Sequence, residues 1–370
     1  MKKLKFLIDG LLKQDPYLIK KSNKKKILLK IFKSQIKYHK KKCSTYNLWY
    51  KKNNFLDTSK IKKVSDIPFL PSSIFKNHDL KSISSKYKII QSSGSSGNKS
   101  NIYIDKTTSM LQRQALTKIL TKVIGKKRKK FFIVDLPILN SVNKIKLTAR
   151  NAGMAGYLMA AKDTIYLLKL NKNNEIILDL KALDILQNLA SKENFIIIGY
   201  TYMIWKHICN NKKFKNLNLK FKKDTKLIHF GGWKKIETFI NKDNFYKALQ
   251  GKLNININSI LDIYGFSEQL GSIYYSKGNS GNIVNGYSEV LVRDFDSLKI
   301  VKDGKVGFLQ FLSALPISYP GFSILNDDIG YISKRRIKSG FEHVEFKTLN
   351  RLDRLEPRGC GDTLPKNFYV

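Results

Sequence analysis

The chain has 370 residues and a mass of 42.6 kDa, enough for two or three ordinary domains or one large lobed domain. An apolar content of 42% supports a sizeable core and excludes a wholly disordered protein. No apolar run reaches the roughly 18 to 20 residues that cross a bilayer. Asp9 interrupts the short apolar stretch at the start, so neither a membrane span nor a cleaved signal is expected.

The net charge of +41 is compatible with a polyanionic partner such as nucleic acid. Only 9 of the 69 basic residues are arginine, however, and the lysines are spread over the whole chain. A nucleic-acid binder more often concentrates arginine, whose forked guanidinium fits phosphates and guanine. A lysine-coated surface is therefore favoured, and a nucleic-acid partner is not expected. Three cysteines without metal-type spacing fit a cytoplasmic protein.

The predicted elements alternate between helices and strands. The first ninety residues are lysine-rich and helical in periodicity, and residues 67–71 are extended because their prolines forbid a long helix. A helix is predicted over 107–124 with Thr107 or Thr108 as its N-cap, and further helices over 181–192 and 201–212. Strands are predicted at the following places: 86–90, 101–105, 130–136, 194–200, 226–230 and, repeatedly, after 283. This order predicts an α/β core whose sites lie at the carboxyl ends of strands.

A serine- and glycine-rich segment, residues 91–100, lies between two predicted strands. Successive small residues let backbone N–H groups converge on an anion, and the hydroxyls add donors, so the segment suits a phosphate-binding hairpin loop. It lacks the ending of a Walker A loop and the spacing of a dinucleotide fingerprint. A flexible surface linker fits the same composition equally well.

Two segments carry carboxylates at predicted turns. Tyr264 and Glu268 follow a strand in the segment 263–269, where the carboxylate could hold Mg²⁺ and the ring could face a base. Asp327 and Asp328 adjoin each other in the segment 319–330 and could bind a cation or both hydroxyls of a ribose. Solvated turn residues remain the commoner explanation for either segment alone.

The C-terminal segment 350–362 places three arginines next to Cys360, which is flanked by glycines. Nearby arginines lower the pKa of a thiol and glycines leave the sulfur accessible, so Cys360 is a candidate nucleophile. An incidental cysteine is the usual alternative.

Taken in order, these segments resemble the adenylate-forming (ANL) superfamily, and most of all its acyl-protein synthetase (LuxE-type) family, a relative of phenylacetate–CoA ligases. The resemblance runs from about residue 65 to the end and includes HFGGWKK at 229–235. It implies an α/β fold with a large N-terminal adenylation core of mixed sheets flanked by helices, and a β-rich subdomain. The implied division is 1–90 (helical, packing on the core), 91–282 (adenylation core), 283–350 (β-rich) and 351–370 (tail).

The resemblance implies ATP and Mg²⁺ as cofactors, with a carboxylic acid, possibly fatty, converted to an acyl-adenylate and then to a thioester. Glu268 would hold Mg²⁺ and take part in catalysis, and Cys360 would accept the acyl group unless a partner protein, such as a reductase or carrier protein, does so. The remaining implied nucleotide-binding residues are Ser92, Ser93, Gly94, Ser95, Ser96, Gly97, Gly231, Gly232, Tyr264, Ser267, Asp328 and Arg351.

Three departures from the superfamily pattern accompany the resemblance. Ser100 stands where a lysine is usual, and Ser267 stands where threonine is commoner. Only 19 residues follow Arg351, so the mobile C-terminal lid is expected to be absent or vestigial. The alternatives are a polyanion-binding protein and a non-catalytic homologue that keeps the ligand site.

Overall fold

The computed structural model describes residues 1–84, 86–92, 99–137, 146–215, 217, 219–233 and 240–351. Within these ranges, none of the helices combines the length and the apolar character that crossing a membrane requires.

The helices gather at the N-terminus and between the strands of the main sheet. They are α1 Lys2–Leu12, α2 Lys21–Lys42, α3 Ser44–Lys52, α4 Ile74–Asn77, α5 Lys106–Ile124, α6 Ala149–Leu158, α7 Leu180–Ala190, α8 Thr201–Ile204 and α9 Lys242–Leu253.

The strands become denser toward the C-terminus. They are β1 Leu70–Pro71, β2 Tyr87–Gln91, β3 Asn101–Asp105, β4 Lys129–Val134, β5 Lys146–Thr148, β6 Ala161–Tyr166, β7 Leu168–Leu170, β8 Ile176–Leu178, β9 Ile196–Tyr200, β10 Lys226–Phe230, β11 Ile260–Tyr264, β12 Tyr274–Lys277, β13 Asn282–Ile283, β14 Ser288–Arg293, β15 Gly307–Ser313, β16 Ser323–Lys338 and β17 Phe341–Arg351.

One large mixed sheet organises the molecule. Its strand order is β14-β15-β16-β17-β13-β12-β11-β10-β9-β4-β6, and β1 pairs with β16. The strands β6, β4, β9, β10 and β11 run parallel to one another. Strand β11 pairs antiparallel with β12, and the pairs formed among β12 to β17 are antiparallel as well. Strand β9 lies between β4 and β10 and is buried along its whole length, as its continuously apolar sequence predicted.

A smaller sheet presents the serine/glycine segment. Strands β2 and β3 form the predicted antiparallel hairpin, and β5 adds to β2 in parallel. The two ends of the segment are held together, because the backbone N–H of Ser92 donates to the carbonyl of Ser100 at 3.1 Å.

The N-terminal helices pack onto the body of the protein and complete its core. Ile31 and Phe32 of α2 are fully buried, and the amide of Gln35 donates to the carbonyls of Ala314 and Pro316. Packing by an amphipathic face holds this lysine-rich helix in place, since its own sequence carries no N-terminal side-chain cap.

Two local predictions are wrong. Helix α5 begins at Lys106 and its N-cap is Asp105, whose carboxylate accepts the N–H of Thr108 at 2.7 Å. A carboxylate one residue before the helix reaches this N–H directly, so neither threonine serves as the cap. The helix predicted over 201–212 has α geometry only to Ile204 and continues as a π-helical turn over Trp205–Cys209.

The predicted division of the chain into four regions remains a prediction. Its junctions at 90/91, 282/283 and 350/351 fall within β2, β13 and β17, respectively. The large sheet continues across the second junction, since β13 joins β12 to β17.

Candidate active site

The parallel strands β4, β9, β10 and β11 end side by side at one edge of the sheet, called here the carboxyl edge. Their last residues are Val134, Tyr200, Phe230 and Tyr264. The segments that follow these strands carry several of the polar groups that the sequence singled out. This is the edge at which open α/β sheets bind their ligands.

A hydrogen bond joins Tyr264 to Asp328, two residues that are 64 positions apart and were predicted from separate segments. The Tyr264 hydroxyl donates to Oδ2 of Asp328. The Nδ2 of Asn326 donates to that same oxygen at 2.9 Å and to the Tyr264 hydroxyl at 3.1 Å. The tyrosine ring stacks on Phe311 with centroids 5.3 Å apart and 23° between planes. These contacts fix the orientation of both the ring and the carboxylate.

Arg351 lies on the strand beside Asp328. The register of β16 against β17 pairs their Cα atoms directly. The main chain therefore brings residue 351 alongside the strand position that carries Asp328.

Glu268 is a buried carboxylate, 8% exposed, in the turn that follows β11. Its Oε2 accepts the hydroxyl of Ser267 at 2.9 Å. Although the chain carries 69 basic residues, no ion pair to Glu268 occurs among the described ones. A buried carboxylate normally needs a cation or several donors, so this site suits an oxygen-seeking metal.

The segment before β16 contacts the main chain of Glu268 and fixes its position. The Tyr319 hydroxyl donates to the Glu268 carbonyl at 2.8 Å. Gly321 lies so close that a Cβ there would stand 2.8 Å from the same carbonyl. Nε2 of Gln269 donates to the carbonyls of Phe311 and Gly321, at 2.9 Å each. The turn that carries Glu268 is therefore rigidly positioned.

Within the described ranges, no cluster of three or more His, Cys, Asp or Glu side chains could hold a metal by itself. A magnesium ion at Glu268 would have to take its other ligands from elsewhere. Phosphate oxygens and water supply them in nucleotide sites, where one or two carboxylates suffice. The residues therefore fit Mg²⁺ bound together with a nucleotide.

Gly231 and Gly232 follow β10 at the carboxyl edge. Gly231 has φ +74°, and a Cβ there would lie 3.1 Å from the Tyr200 ring. The Thr201 hydroxyl donates to the Gly231 carbonyl at 2.9 Å and contacts Nδ1 of His229 at 3.0 Å. This buried hydrogen-bond chain fixes the path of the backbone at the two glycines.

The His229 ring is itself fixed by three partners. The Tyr246 hydroxyl contacts Nε2 at 3.1 Å, and the Asp262 carboxylate lies 3.7 Å from Nδ1. Burial nevertheless dominates and lowers the pKa of His229 to about 4, so the imidazole is neutral at pH 7. A neutral ring can donate from only one nitrogen, and this arrangement assigns the proton to Nδ1, facing Thr201.

Only the base of the predicted phosphate loop lies within the described residues. Ser92 closes the base of the loop, since its hydroxyl accepts the N–H of Ser100 at 3.0 Å. Two sets of predicted residues lie outside the described ranges, namely Ser93, Gly94, Ser95, Ser96 and Gly97 in the loop and Cys360 in the tail.

Sequence reasoning missed three residues that position this site, namely Thr201, Tyr319 and Asn326. Tyr319 and Asn326 lie within the segment 319–330, from which only the two adjacent aspartates were predicted as ligands. The polar residues flanking the two aspartates were the available signal. Nothing in the sequence marked Thr201, because its role depends on strands that meet only in the sheet.

Comparisons with known sequences match this chain to one family. The sequence model of the family described as acyl-protein synthetase, LuxE, matches residues 5–369. The long-chain-fatty-acid–luciferin-component ligase of Aliivibrio fischeri is 24% identical over 302 residues, covering 80% of this chain and 77% of that protein. The enzyme of the same name from Vibrio harveyi is 23% identical, covering 83% of this chain and 80% of the relative.

A solved structure shares the fold. A 2-hydroxyisobutyryl-CoA ligase in its postadenylation state superimposes with a TM-score of 0.62 at 12% identity, covering 91% of this chain and 69% of that one. ATP-bound MatB from Rhodopseudomonas palustris gives a TM-score of 0.45 at 13% identity, covering 71% of this chain. The chain spans 47% of the length of MatB, about half.

The likeness to the CoA ligase confirms the predicted α/β fold, with its large mixed sheet flanked by helices. The family match and the two relatives, both named as ligases, confirm the predicted enzyme class, an acyl-protein synthetase. With a family match over nearly its whole length, the chain belongs to the acyl-protein synthetase (LuxE) family.

Proposed function

We propose that this enzyme uses ATP and Mg²⁺ to convert a long-chain carboxylic acid into an acyl-adenylate and then passes the acyl group to a thiol. The observation that carries the proposal is the convergence at the carboxyl edge. Tyr264 and Asp328 are hydrogen-bonded there, and Arg351 lies opposite Asp328 in the sheet register. Three nucleotide-binding predictions from separate parts of the chain thus meet in one place.

In the first step, a carboxylate oxygen of the acid attacks the α-phosphorus of ATP. A new P–O bond forms, the bond to the β-phosphate oxygen breaks, and pyrophosphate leaves. Glu268 would hold Mg²⁺, and the bound ion would supply positive charge that neutralises the phosphates. Tyr264 faces the base, Asp328 accepts the ribose hydroxyls, and Ser267 and Arg351 contact the nucleotide.

The remaining predicted residues frame the nucleotide. Gly231 and Gly232 flank the base, and their fixed backbone allows close approach. The loop residues Ser92, Ser93, Gly94, Ser95, Ser96 and Gly97 donate to the phosphates. Preorganised donors of this kind stabilise charge in the transition state without reorganisation.

In the second step, a thiolate attacks the acyl carbon. The thioester C–S bond forms, the acyl–phosphate C–O bond breaks, AMP leaves, and the thiol proton passes to solvent. Cys360 is our candidate for the thiol, because arginines and glycines surround it in sequence. The acyl group then moves to a partner, a reductase or a carrier protein. The two curated relatives, named for a long-chain fatty acid and a luciferin component, support the choice of acid.

We place this activity in the cytoplasm. Cys43 and Cys209 are free and buried within the described part of the chain, as is usual where thiols stay reduced.

The test is acid-dependent exchange of labelled pyrophosphate into ATP, measured with a panel of straight-chain acids. Exchange should require Mg²⁺ and should fall about 100-fold or more in the Glu268→Gln variant, which keeps the shape and loses the charge. If no acid supports exchange, or if Glu268→Gln exchanges at the wild-type rate, the proposal is wrong.

The thiol is tested separately with a radiolabelled acid. Cys360→Ser should keep pyrophosphate exchange and lose the covalent label that neutral hydroxylamine releases. Cys209→Ser, which alters a buried thiol, is the control and should keep the label. Normal labelling of Cys360→Ser would place the thioester elsewhere while leaving the adenylation step untouched.

A further inference from the structure

A group that the nucleotide predictions do not use lies at the carboxyl edge. Arg150, in the first turn of α6, contacts both carboxylate oxygens of Asp135 from Nη2, at 2.6 Å each. Its Nη1 donates to the Tyr202 hydroxyl. The guanidinium carbon stands 4.5 Å from the centroid of the Tyr200 ring, whose hydroxyl donates to the Arg150 carbonyl at 2.9 Å. These four residues form what we call the Arg150 cluster.

The Arg150 cluster adjoins the proposed nucleotide site. Asp135 directly follows β4, and Tyr200 ends β9. The Tyr200 ring packs against Gly231, since a Cβ on that glycine would lie 3.1 Å from it. Neighbouring strands in a sheet are about 4.8 Å apart. Because only β10 lies between them, β9 is about 10 Å from β11, the strand whose last residue is Tyr264. A nucleotide between these strands would bring its phosphates and the acid within the reach of one arginine side chain.

The hydrogen bonds that hold the Arg150 guanidinium in place do not use all of its N–H donors. Its side chain keeps 27% of its surface exposed. Among the described residues, its hydrogen bonds use Nη1 and Nη2, and none uses Nε. Arginine carries five N–H donors in a rigid plane, which allows it to bind a second oxyanion while the first partner stays in place.

We propose that Arg150 binds an oxyanion of the reacting substrates, either the carboxylate of the acid or a phosphate of the nucleotide. The inference rests on the function proposed above. Asp135 and Tyr202 hold the guanidinium over the Tyr200 ring, so it meets the anion with little further loss of side-chain freedom. Preorganisation of this kind places a charge where the anion arrives.

The alternative is that Arg150 only ties α6 to the end of β4. Arg335 offers a matched comparison for this role. Its side chain is 28% exposed and pairs with Asp303 at 2.6 Å and with Glu342 at 3.0 Å. It lies on β16, outside the carboxyl edge. Loss of either arginine removes a comparable ion-paired group, but of the two only Arg150 packs on Tyr200, the ring that lies beside Gly231.

The experiment measures pyrophosphate exchange in Arg150→Gln, Arg150→Lys and Arg335→Gln, with KM determined separately for dodecanoate and for ATP. A charge-assisted hydrogen bond that is lost should raise one KM about tenfold or more in Arg150→Gln. Arg150→Lys should fall between this variant and the wild type, because it keeps the charge but not the fork. Arg335→Gln should leave both KM values within twofold of wild type.

A rise in the KM for dodecanoate alone identifies the carboxylate as the ligand, and a rise in the KM for ATP alone identifies a phosphate. Unchanged KM values in Arg150→Gln overturn the inference, as does an equal rise in Arg335→Gln. If Arg150→Gln does not fold, Arg150→Lys decides, and a wild-type KM for both substrates there overturns the inference.

The proposed function can fail separately. If the wild type shows no exchange, dodecanoate, ATP and pyrophosphate are titrated calorimetrically into the wild type and Arg150→Lys. Weaker binding of any of these anions in the variant still supports the assignment of Arg150, and equal binding of all three overturns it.

Discussion

Replacing Tyr319 with phenylalanine tests how the fold supports Glu268. The change removes one hydroxyl that donates to the Glu268 carbonyl at 2.8 Å inside a fully buried site. A buried carbonyl left without its partner costs about 1 to 3 kcal/mol of unfolding free energy. Because the same carbonyl belongs to the proposed metal-binding residue, its release also loosens the carboxylate. Loss of a group that holds a metal-binding residue in place weakens metal binding by about 10- to 100-fold.

The control is Tyr287→Phe. The Tyr287 side chain is also fully buried, and its hydroxyl donates to the Gln14 carbonyl at 2.7 Å in a partly buried setting, so the loss of stability should be similar or smaller. Urea unfolding gives the stability of both variants, and pyrophosphate exchange at varied Mg²⁺ gives the half-saturating concentration. We expect only Tyr319→Phe to require more Mg²⁺. Equal Mg²⁺ requirements in the two variants would refute the link between this hydroxyl and the metal.

Three further predictions concern the glycines and the histidine beside them. Gly231→Ala should lower the unfolding free energy by about 1 to 2 kcal/mol or more, because φ is +74° and the new Cβ would crowd the Tyr200 ring. The control for crowding is Gly232→Ala, because no atom lies within 4 Å of a Cβ at that position. Thr201→Val should raise the KM for ATP while Thr201→Ser restores it, since only the hydroxyl reaches the Gly231 carbonyl. The pKa of His229 is about 4 when folded and about 6.5 when unfolded, so the unfolded chain binds the extra proton between these values. Unfolding free energy should therefore fall as pH drops from 6.5 to 4, by about 3 kcal/mol from this group, and His229→Asn should show a shallower fall.

Each of these has a clear opposing result. Equal stability losses at the two glycines would remove the argument from the left-handed backbone. A KM for ATP that Thr201→Ser does not restore would mean that the methyl groups, not the hydroxyl, decide the effect. An identical pH dependence of unfolding in His229→Asn would show that other groups take up the proton.

Local patterns in the sequence predicted the elements of this fold well. The run over residues 226–230 forms β10 as predicted, because Leu227, Ile228 and Phe230 are apolar and bury this strand within the sheet. The β2–β3 hairpin around the serine/glycine segment was predicted from two short apolar runs. Helix ends were less predictable. Whether Asp105 or a threonine caps α5 depends on which oxygen reaches the Thr108 N–H, a matter of a few ångströms.

The candidate site divides in the same way. Tyr264 and Asp328 were predicted separately because each stands in a distinctive local motif. Their hydrogen bond arises only because β11 and β16 belong to one sheet and their side chains meet across it. No pattern in the neighbouring residues predicts such a contact.

By itself the sequence determined the kinds of chemistry available, namely carboxylates, hydroxyls and glycines in recognisable local settings, together with the order of helices and strands. Only the tertiary structure decided which of these groups share a site. It brought the Thr201 hydroxyl to the Gly231 carbonyl and the Tyr319 hydroxyl to the Glu268 carbonyl. It also packed the Arg150 guanidinium on the Tyr200 ring. The physical reason is that motif residues act through their neighbours along the chain, whereas positioning residues act through space, where distance along the chain carries no information.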